Sequence, residues 1–218
     1  MIHFAPQDEQ ALLSRCSQLE GLSFSQLAII TQSPIPLNPV QRKGWAGQAI
    51  ERFLGATAGT QSLPDFHELG IELKTIPLNA HGRPSESTFI VTISLLTIHQ
   101  EKWLTSYCYQ KLKRILWVPI EGDVKIPFGQ RRVGRAFLWS ASEEIEQILQ
   151  DDWCYLTTLI STGHLSDIDA SHGEYLQIRP KAANARSLCY AYDEQGNQSL
   201  TLPRGFYLRA AFTQYLIK

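Results

Sequence analysis

The chain has 218 residues, of which 44% are hydrophobic and 19% charged, a composition typical of one folded globular domain and not of a disordered segment. Its formal net charge of -1 counts against a nucleic-acid partner, because many DNA-binding proteins are strongly basic. The four cysteines are widely spaced along the chain, which argues against a zinc site or a disulfide framework and indicates a reducing compartment.

The N-terminus lacks the basic and apolar segments of a signal peptide. No apolar run approaches the roughly 20 residues that a membrane span needs. We therefore expect a cytoplasmic protein with no membrane partner.

Apolar residues at helical spacing predict helices over residues 6–19, 25–32 and 45–54, and three prolines predict a loop over residues 33–40. Alternating or continuous apolar runs predict strands over residues 69–76, 89–95 and 114–120, with a helix over 105–113. Ser140 and Glu143 suit a capping box that opens a long helix. Two further strands are predicted at 175–178 and 199–202. The sum is a mixed α/β fold around a central sheet of mixed strand direction.

Positive charge is concentrated between Lys102 and Arg135. The acids in that stretch are Glu121 and Asp123, against the positive residues Lys102, Lys111, Lys113, Arg114, Lys125, Arg131, Arg132 and Arg135. Such a surface could meet phosphates. It could equally be a solvated charged face, and the sequence alone leaves both interpretations open.

An aspartate followed by Glu-x-Lys on a strand is the pattern with the clearest chemical meaning. Because side chains alternate along a strand, Glu72 and Lys74 should share one face, roughly 7 Å apart, while Leu69, Ile71 and Leu73 point the other way. Asp65 can fold back beside Glu72 and complete a hard oxygen site suited to magnesium. A lysine there can orient or deprotonate a water and stabilise charge on a phosphate. The alternative is a solvated strand face, on which Glu-x-Lys often occurs by chance.

The wider sequence resembles the MutH family of strand-nicking mismatch-repair endonucleases, which have a restriction-endonuclease-like fold. The resemblance runs over essentially the whole chain, in the same order. It is carried by KGW at 43–45, IE at 50–51, DFHELGIELKTIP at 65–77, KLKRILW at 111–117, HGEYLQIRPKAANA at 172–185 and LPRGFYL at 202–208.

The resemblance implies a catalytic and metal-binding set. Asp65, Glu72 and Lys74 match the family triplet, Glu51 matches an additional active-site carboxylate, and Lys111 matches a further catalytic lysine. It implies one or two Mg²⁺ ions held by Asp65, Glu72 and Glu51. On residue type alone, Glu51 could be an exposed helix residue and Lys111 a phosphate contact or a solvated charge.

The resemblance also implies a DNA-binding set elsewhere in the chain. Arg179 and Pro180 would read bases, Lys181 would contact DNA, and Tyr207 would lie near the adenine whose methylation is sensed; Lys43, Gly44 and Phe89 match further DNA-facing positions. An arginine can contact guanine with two hydrogen bonds in the major groove. From the sequence alone, Arg179 could instead pair with Glu174, and Tyr207 and Phe89 could be packing residues.

What the resemblance implies overall is a single endonuclease domain over residues 1–218, with an N-terminal catalytic arm and a C-terminal recognition arm forming a DNA-binding cleft. As a monomer it would nick the unmethylated strand of hemimethylated GATC sites, activated by MutL after MutS finds a mismatch. Two alternatives stay open: a GATC restriction endonuclease that cuts both strands, and a non-catalytic DNA-binding module.

Overall fold

The computed structural model describes residues 4–59, 63–169, 171–182, 184 and 186–217, so Ala183 and Ala185 of the 172–185 motif lie outside the described residues. In chain order the helices are α1 (Glu9–Leu19), α2 (Phe24–Ile30), α3 (Pro39–Arg42), α4 (Trp45–Leu54), α5 (Tyr107–Leu112), α6 (Glu143–Ser161) and α7 (Ala210–Ile217). The strands are β1 (Glu72–Leu78), β2 (Thr88–Thr92), β3 (Ile115–Glu121), β4 (Phe137–Trp139), β5 (Leu176–Pro180), β6 (Cys189–Tyr192), β7 (Gln198–Thr201) and β8 (Arg204–Leu208).

These elements form two compact units. The first comprises the chain up to Glu86 together with Arg114–Ser140, and the second comprises Ser87–Lys113 together with the chain from Ala141 onward. Each has its own three-stranded sheet, in the order β1-β3-β4 and β2-β8-β5 respectively. The mixed α/β class is thus confirmed, with the strands divided among separate small sheets instead of gathered in one.

In the first unit α4 packs on β1, and α1 and α2 pack on α4. β1 and β3 run parallel, with Glu72 opposite Ile115 and Lys74 opposite Trp117, and β4 pairs with β3 in the antiparallel direction. The sheet therefore has the mixed strand direction that the sequence predicts. Its helix-facing side contributes Ile71, Leu73, Leu116 and Val118 to the same buried apolar cluster as Leu12, Leu27, Ile50 and Leu54.

The second unit has an antiparallel sheet with β8 in its centre, and α6 packs on β5. Asp152, buried on α6, accepts hydrogen bonds from the backbone N–H groups of Glu174, Tyr175 and Leu176 at 2.7, 2.7 and 2.8 Å. One carboxylate thus holds three consecutive amides at the start of β5. β6 and β7 form a separate two-stranded hairpin.

Several predicted boundaries shift, for identifiable reasons. Pro39 begins α3 instead of extending the proline-rich loop, because Asn38 caps the helix and a proline is well suited to its first position. The N-cap of α6 is Ser142 and not Ser140. The strand predicted from residue 69 starts at Glu72, since Leu69 belongs to a short 3-10 helix that ends at Gly70, which has a φ of 63°.

Three short strands and the last helix were not predicted. β4, β6 and β8 span three to five residues each, too short for a clear period, and α7 has no charged residue to mark a solvent-facing side. Among the described residues, no helix is both long enough and apolar enough to span a membrane.

Candidate active site and DNA-reading face

Asp65 folds back onto β1, as the sequence predicts. Phe66 and Ile71 exchange backbone hydrogen bonds of 2.9 and 3.2 Å, and this closes a tight loop before the strand. The Asp65 Oδ2 atom then accepts a hydrogen bond of 2.9 Å from the backbone N–H of Leu73. The buried Asp65 carboxylate therefore lies beside the peptide bond that joins Glu72 to Leu73.

Glu72 and Lys74 share one face of β1. The Lys74 Nζ atom lies 2.5 Å from the Glu72 Oε1 atom, with the two side chains 15% and 1% exposed respectively. The strand beside them contributes the buried residues Ile115 and Trp117 at the matching register positions. A buried carboxylate is costly unless charged or hydrogen-bonding groups surround it, and the ammonium of Lys74 supplies one such group.

Glu51 lies on the helix that packs against this strand. α4 contacts β1, and the segment that follows α4 donates hydrogen bonds from Thr57 and Ala58 to the Asp65 carbonyl oxygen at 3.0 and 3.3 Å. Glu51 is half-buried. The helix that carries Glu51 is therefore tied to both elements that carry the other two carboxylates.

Lys111 belongs to the second unit, in the last turn of α5, and its side chain is 8% exposed. A lysine is rarely buried to this degree unless polar groups surround it. The interpretation of Lys111 as a merely solvated charge is therefore wrong.

Four predicted DNA-binding residues form one cluster in the second unit. The rings of Phe89 and Tyr207, opposite each other on β2 and β8, lie edge to face with centroids 5.3 Å apart. The Arg179 guanidinium lies 5.9 Å from the Tyr207 ring centroid, and Lys181 Nζ lies 4.1 Å from that of Phe89. Phe89 and Tyr207 are half-buried, and Arg179 is exposed. We refer to these four residues as the aromatic–cation cluster.

Two residues beside this cluster, Ser87 and Gln177, have no role that the sequence predicts. Gln177 Nε2 donates to the Ser87 hydroxyl oxygen at 2.8 Å, and Arg179 Nη1 donates to the same oxygen at 3.4 Å. Gln177 is only 6% exposed. The signal available in the sequence was the alternation along β5, which puts Gln177 on the same face as Arg179.

Pro180 and Lys181 extend the recognition segment. Pro180 is the exposed last residue of β5, and the Lys181 N–H continues the ladder by donating to the Pro203 carbonyl at 2.7 Å. Arg179 and Pro180 thus lie within the strand and not in a loop after it. Gly205 on β8 is the residue paired with Arg179.

Lys43 and Gly44 are in the first unit, apart in sequence from this cluster. Both are exposed, and Gly44 is the N-cap of α4 with a φ of 83°. They line a surface cleft together with residues of β1 and β3.

The described part of the chain also contains a group of potential metal ligands that no sequence pattern indicates. His164, Asp167 and Glu194, in the second unit, have ligand atoms within 4.8 Å of one another. His164 Nδ1 lies 3.0 Å from an Asp167 carboxylate oxygen, and all three side chains are at least 40% exposed. The group includes none of the predicted catalytic residues, and exposed ion pairs of this kind need no metal.

Comparison with known proteins identifies the family. The family model described as "DNA mismatch repair enzyme MutH" matches residues 54–152, a segment that contains Asp65, Glu72, Lys74 and Lys111. The DNA mismatch repair protein MutH of Pectobacterium atrosepticum is 48% identical over 213 residues, which are 98% of this chain and 92% of the relative.

The MutH protein of Serratia proteamaculans is 48% identical over 212 residues, covering 97% of this chain and 93% of the relative. That of Escherichia coli O127:H6 is 47% identical over 212 residues, with the same two coverages. Alignments of this length cover both compact units. The chain therefore belongs to the MutH family of DNA mismatch-repair endonucleases.

Proposed function

We propose that the chain hydrolyses one phosphodiester bond of duplex DNA at a Mg²⁺-dependent site formed by Asp65, Glu72 and Lys74, with Glu51 as a further carboxylate. The observation that carries the proposal is the position of the Asp65 carboxylate, bonded to the Leu73 amide beside Glu72. That contact brings two acids from different elements to one short stretch of β1.

The donor set fits magnesium. Carboxylate oxygens are the protein ligands that Mg²⁺ prefers, and Asp65, Glu72 and Glu51 would hold one or two ions. A bound ion would polarise the phosphate and lower the pKa of an attacking water. Lys74, already beside the Glu72 carboxylate, orients that water and stabilises negative charge on the phosphate. Lys111 is proposed as a further catalytic lysine.

The aromatic–cation cluster is the proposed reading surface. Arg179 would contact guanine in the major groove and favour it over another base by roughly 1–3 kcal/mol. Pro180 would lie beside that contact, and Lys181 would bind the DNA backbone. Tyr207 and Phe89 would form a pocket that rejects an adenine methyl group sterically. Lys43 and Gly44 are proposed DNA contacts from the first unit.

The substrate proposed on this basis is the unmethylated strand of a hemimethylated GATC site, cut 5′ to the guanine. One active site per chain acts on one strand at a time, so a monomer gives nicks. We further propose that residues 1–218 act as one endonuclease domain in the cytoplasm, activated by MutL after MutS has found a mismatch.

A plasmid assay tests the proposed function. Three supercoiled plasmids with one GATC site each, unmethylated, hemimethylated and fully methylated, are incubated with enzyme and Mg²⁺. The expected result is nicked circles from the first two, with the hemimethylated plasmid cut only in its unmethylated strand, and intact plasmid from the third.

The same gel separates the alternatives. Linear product formed without an accumulation of nicked circles would indicate a restriction enzyme that cuts both strands. Binding without cleavage in Mg²⁺ or Mn²⁺, alone or with MutL, would indicate a non-catalytic DNA-binding module.

A further inference from the structure

A second polar surface lies in the first unit, and the proposed DNA contacts Lys43 and Gly44 form one edge of it. It is a cleft of about 620 Å³ between the start of α4, the end of β1 and the segment after β3. Three cationic side chains line it, Arg42, Lys43 and Arg131, together with the carboxylates of Glu86 and Glu121. We call it the Arg42–Arg131 cleft.

The two arginines are held in place by the protein. Both guanidinium groups lie 5.4 Å from the centroid of the Phe128 ring, and that ring packs edge-on against Trp45. Arg42 donates to the carbonyl oxygens of Pro36 and Leu37 at 2.9 and 3.2 Å. A side chain fixed in this way loses little conformational entropy when it binds a ligand.

Arg131 keeps donors for such a ligand. Its Nε atom donates to the Ile126 carbonyl oxygen at 3.2 Å, and no further hydrogen bond of this guanidinium is seen within the described residues. Its two terminal nitrogens are the groups that make paired hydrogen bonds to a phosphate. Arg131 is half-buried, which reduces the screening of its charge by water.

The charge balance of the cleft favours an anion. Three cations face two acids, and one of the acids, Glu121, accepts a hydrogen bond of 2.8 Å from the Arg132 backbone N–H. Glu86 is exposed and can turn toward water. α4 starts at this cleft, and Gly44 provides no side-chain cap for it. The backbone N–H groups of its first turn therefore add partial positive charge to the cleft.

The cleft adjoins the proposed catalytic residues on two elements. Gly47, which lines it, precedes Glu51 by one turn of α4, and a side chain at Gly47 would lie 3.9 Å from Glu51 Oε1. Thr75, which also lines it, follows Lys74 on β1. Thr75 points to the face of β1 away from Lys74, so the nearer link is Glu51, one helical turn from the cleft.

We infer that the Arg42–Arg131 cleft binds a backbone phosphate of the DNA duplex outside the bond that is cut, and holds the duplex in register without reading its sequence. Phosphate contacts position a protein on DNA but carry no sequence information. The inference rests on the proposed function in taking duplex DNA as the ligand and in the position of the bond that is cut. It assigns a role to Arg131, from the basic stretch whose purpose the sequence left open.

The test is the salt dependence of binding, measured by fluorescence anisotropy in Ca²⁺ with a duplex that contains GATC and one that does not. Each lost phosphate contact should lower the slope of log K against log salt concentration by about one. Because the cleft is proposed to hold one phosphate, the variant Arg42→Gln/Arg131→Gln should lose about one unit of slope on both duplexes. The ratio of its two affinities should stay at the wild-type value.

Matched variants separate charge from folding. Arg135→Gln removes one positive charge, as each single Gln variant does, from an exposed position of the same unit outside the cleft, and should keep the wild-type slope. Arg42→Lys/Arg131→Lys should restore most of the slope, because the positive charges are retained. Thermal melting of each variant verifies that it is folded; if the Gln pair is not, the two single Gln variants give the slope.

Three outcomes would overturn the inference: a wild-type slope for the Gln variants, an equal loss for Arg135→Gln, or a changed ratio of the two affinities. A thermal melt with millimolar inorganic phosphate gives a fourth: if phosphate stabilises the wild type but not the Gln variants, and their DNA slope is unchanged, the cleft is a small-anion site and the inference is wrong. Because binding is measured without cleavage, none of these results depends on whether Glu72 is catalytic.

Discussion

Lys74 and Glu72 form an ion pair within one strand, with 2.5 Å between the Lys74 Nζ and Glu72 Oε1 atoms. Glu72 is 1% exposed, so this ammonium is one of the groups that make a buried charge tolerable. The pair serves stability in the resting protein and, in the proposed reaction, supplies both a metal ligand and a cation for the phosphate.

Lys74→Met should reveal both roles. Loss of a charge-assisted hydrogen bond should lower the free energy of unfolding by roughly 1.5–3 kcal/mol, measured by urea denaturation without divalent metal, and Ca²⁺ should recover part of that loss. Nicking should fall by about 10²- to 10³-fold. Lys125→Met, at an exposed position, is the control; equal stability of both variants would contradict the role given to the ion pair.

Gly205 determines how closely the Phe89 ring can approach β8. A side chain at Gly205 would lie 2.8 Å from the Phe89 ring and 3.0 Å from the Val91 carbonyl oxygen. Gly205→Ala should therefore displace Phe89 and cost about 1–3 kcal/mol of unfolding free energy by overpacking. It should also reduce discrimination between methylated and unmethylated GATC sites, measured as a ratio of nicking rates.

A second substitution tests the cause of that effect. In Gly205→Ala/Phe89→Leu, the smaller side chain leaves room for the new methyl group, so part of the lost stability should return. Phe89→Leu alone is the reference, because it loses the contacts of the ring with Tyr207 and Lys181. If Gly205→Ala costs as much in that background as in the wild type, the ring is not what the new methyl group displaces.

Asp152 should keep the segment that leads into β5, the strand that carries Arg179, well ordered. Asp152→Asn replaces a carboxylate that accepts three amide hydrogen bonds by a group with a single acceptor oxygen. The loss should be about 2–4 kcal/mol of unfolding free energy. Hydrogen exchange of the Glu174, Tyr175 and Leu176 amides should accelerate.

The neighbouring residue supplies the control for this prediction. Asp151 is exposed and accepts a hydrogen bond from the Gln147 side chain, so Asp151→Asn should leave both stability and exchange almost unchanged. Similar exchange rates in the two variants would mean that Asp152 does not hold the segment.

The cysteines should differ sharply in reactivity. Burial raises the pKa of the Cys16 thiol to about 11 and the pKa of Cys108 well above its usual value, whereas Cys154 is exposed. Because the thiolate is the reactive form, a raised pKa leaves little of it at pH 8. Brief alkylation of native protein at that pH, mapped by mass spectrometry, should label Cys154 and spare Cys16 and Cys108; labelling of Cys16 at the rate of Cys154 would contradict this.

The sequence predicted the parts of the site that depend on local periodicity. The alternation of Leu69, Ile71 and Leu73 with Glu72 and Lys74 correctly predicted which residues of this stretch join the core, although Leu69 precedes β1. Leu69 packs on the core from the 3-10 helix, because the turn at Gly70 returns the chain to the same side. The same geometry returns Asp65 to β1.

Long-range contacts were beyond the sequence. Ser87 and Gln177 are ninety residues apart, and nothing in their spacing indicates that their side chains form a hydrogen bond beside Arg179. Arg42 and Arg131 are likewise distant in the chain, and only folding brings both guanidinium groups onto Phe128. The basic stretch left two interpretations open because its residues divide between the two compact units.

The most direct test of the central claim is Mg²⁺-dependent nicking of the hemimethylated plasmid by Glu72→Gln, compared with Glu68→Gln. Glu68 is an exposed acid four residues earlier in the chain, so its variant should nick at the wild-type rate. Glu72→Gln should bind the same DNA and leave it uncut. Nicking by Glu72→Gln at a rate near that of Glu68→Gln would show that the carboxylate of Glu72 does not hold the catalytic metal.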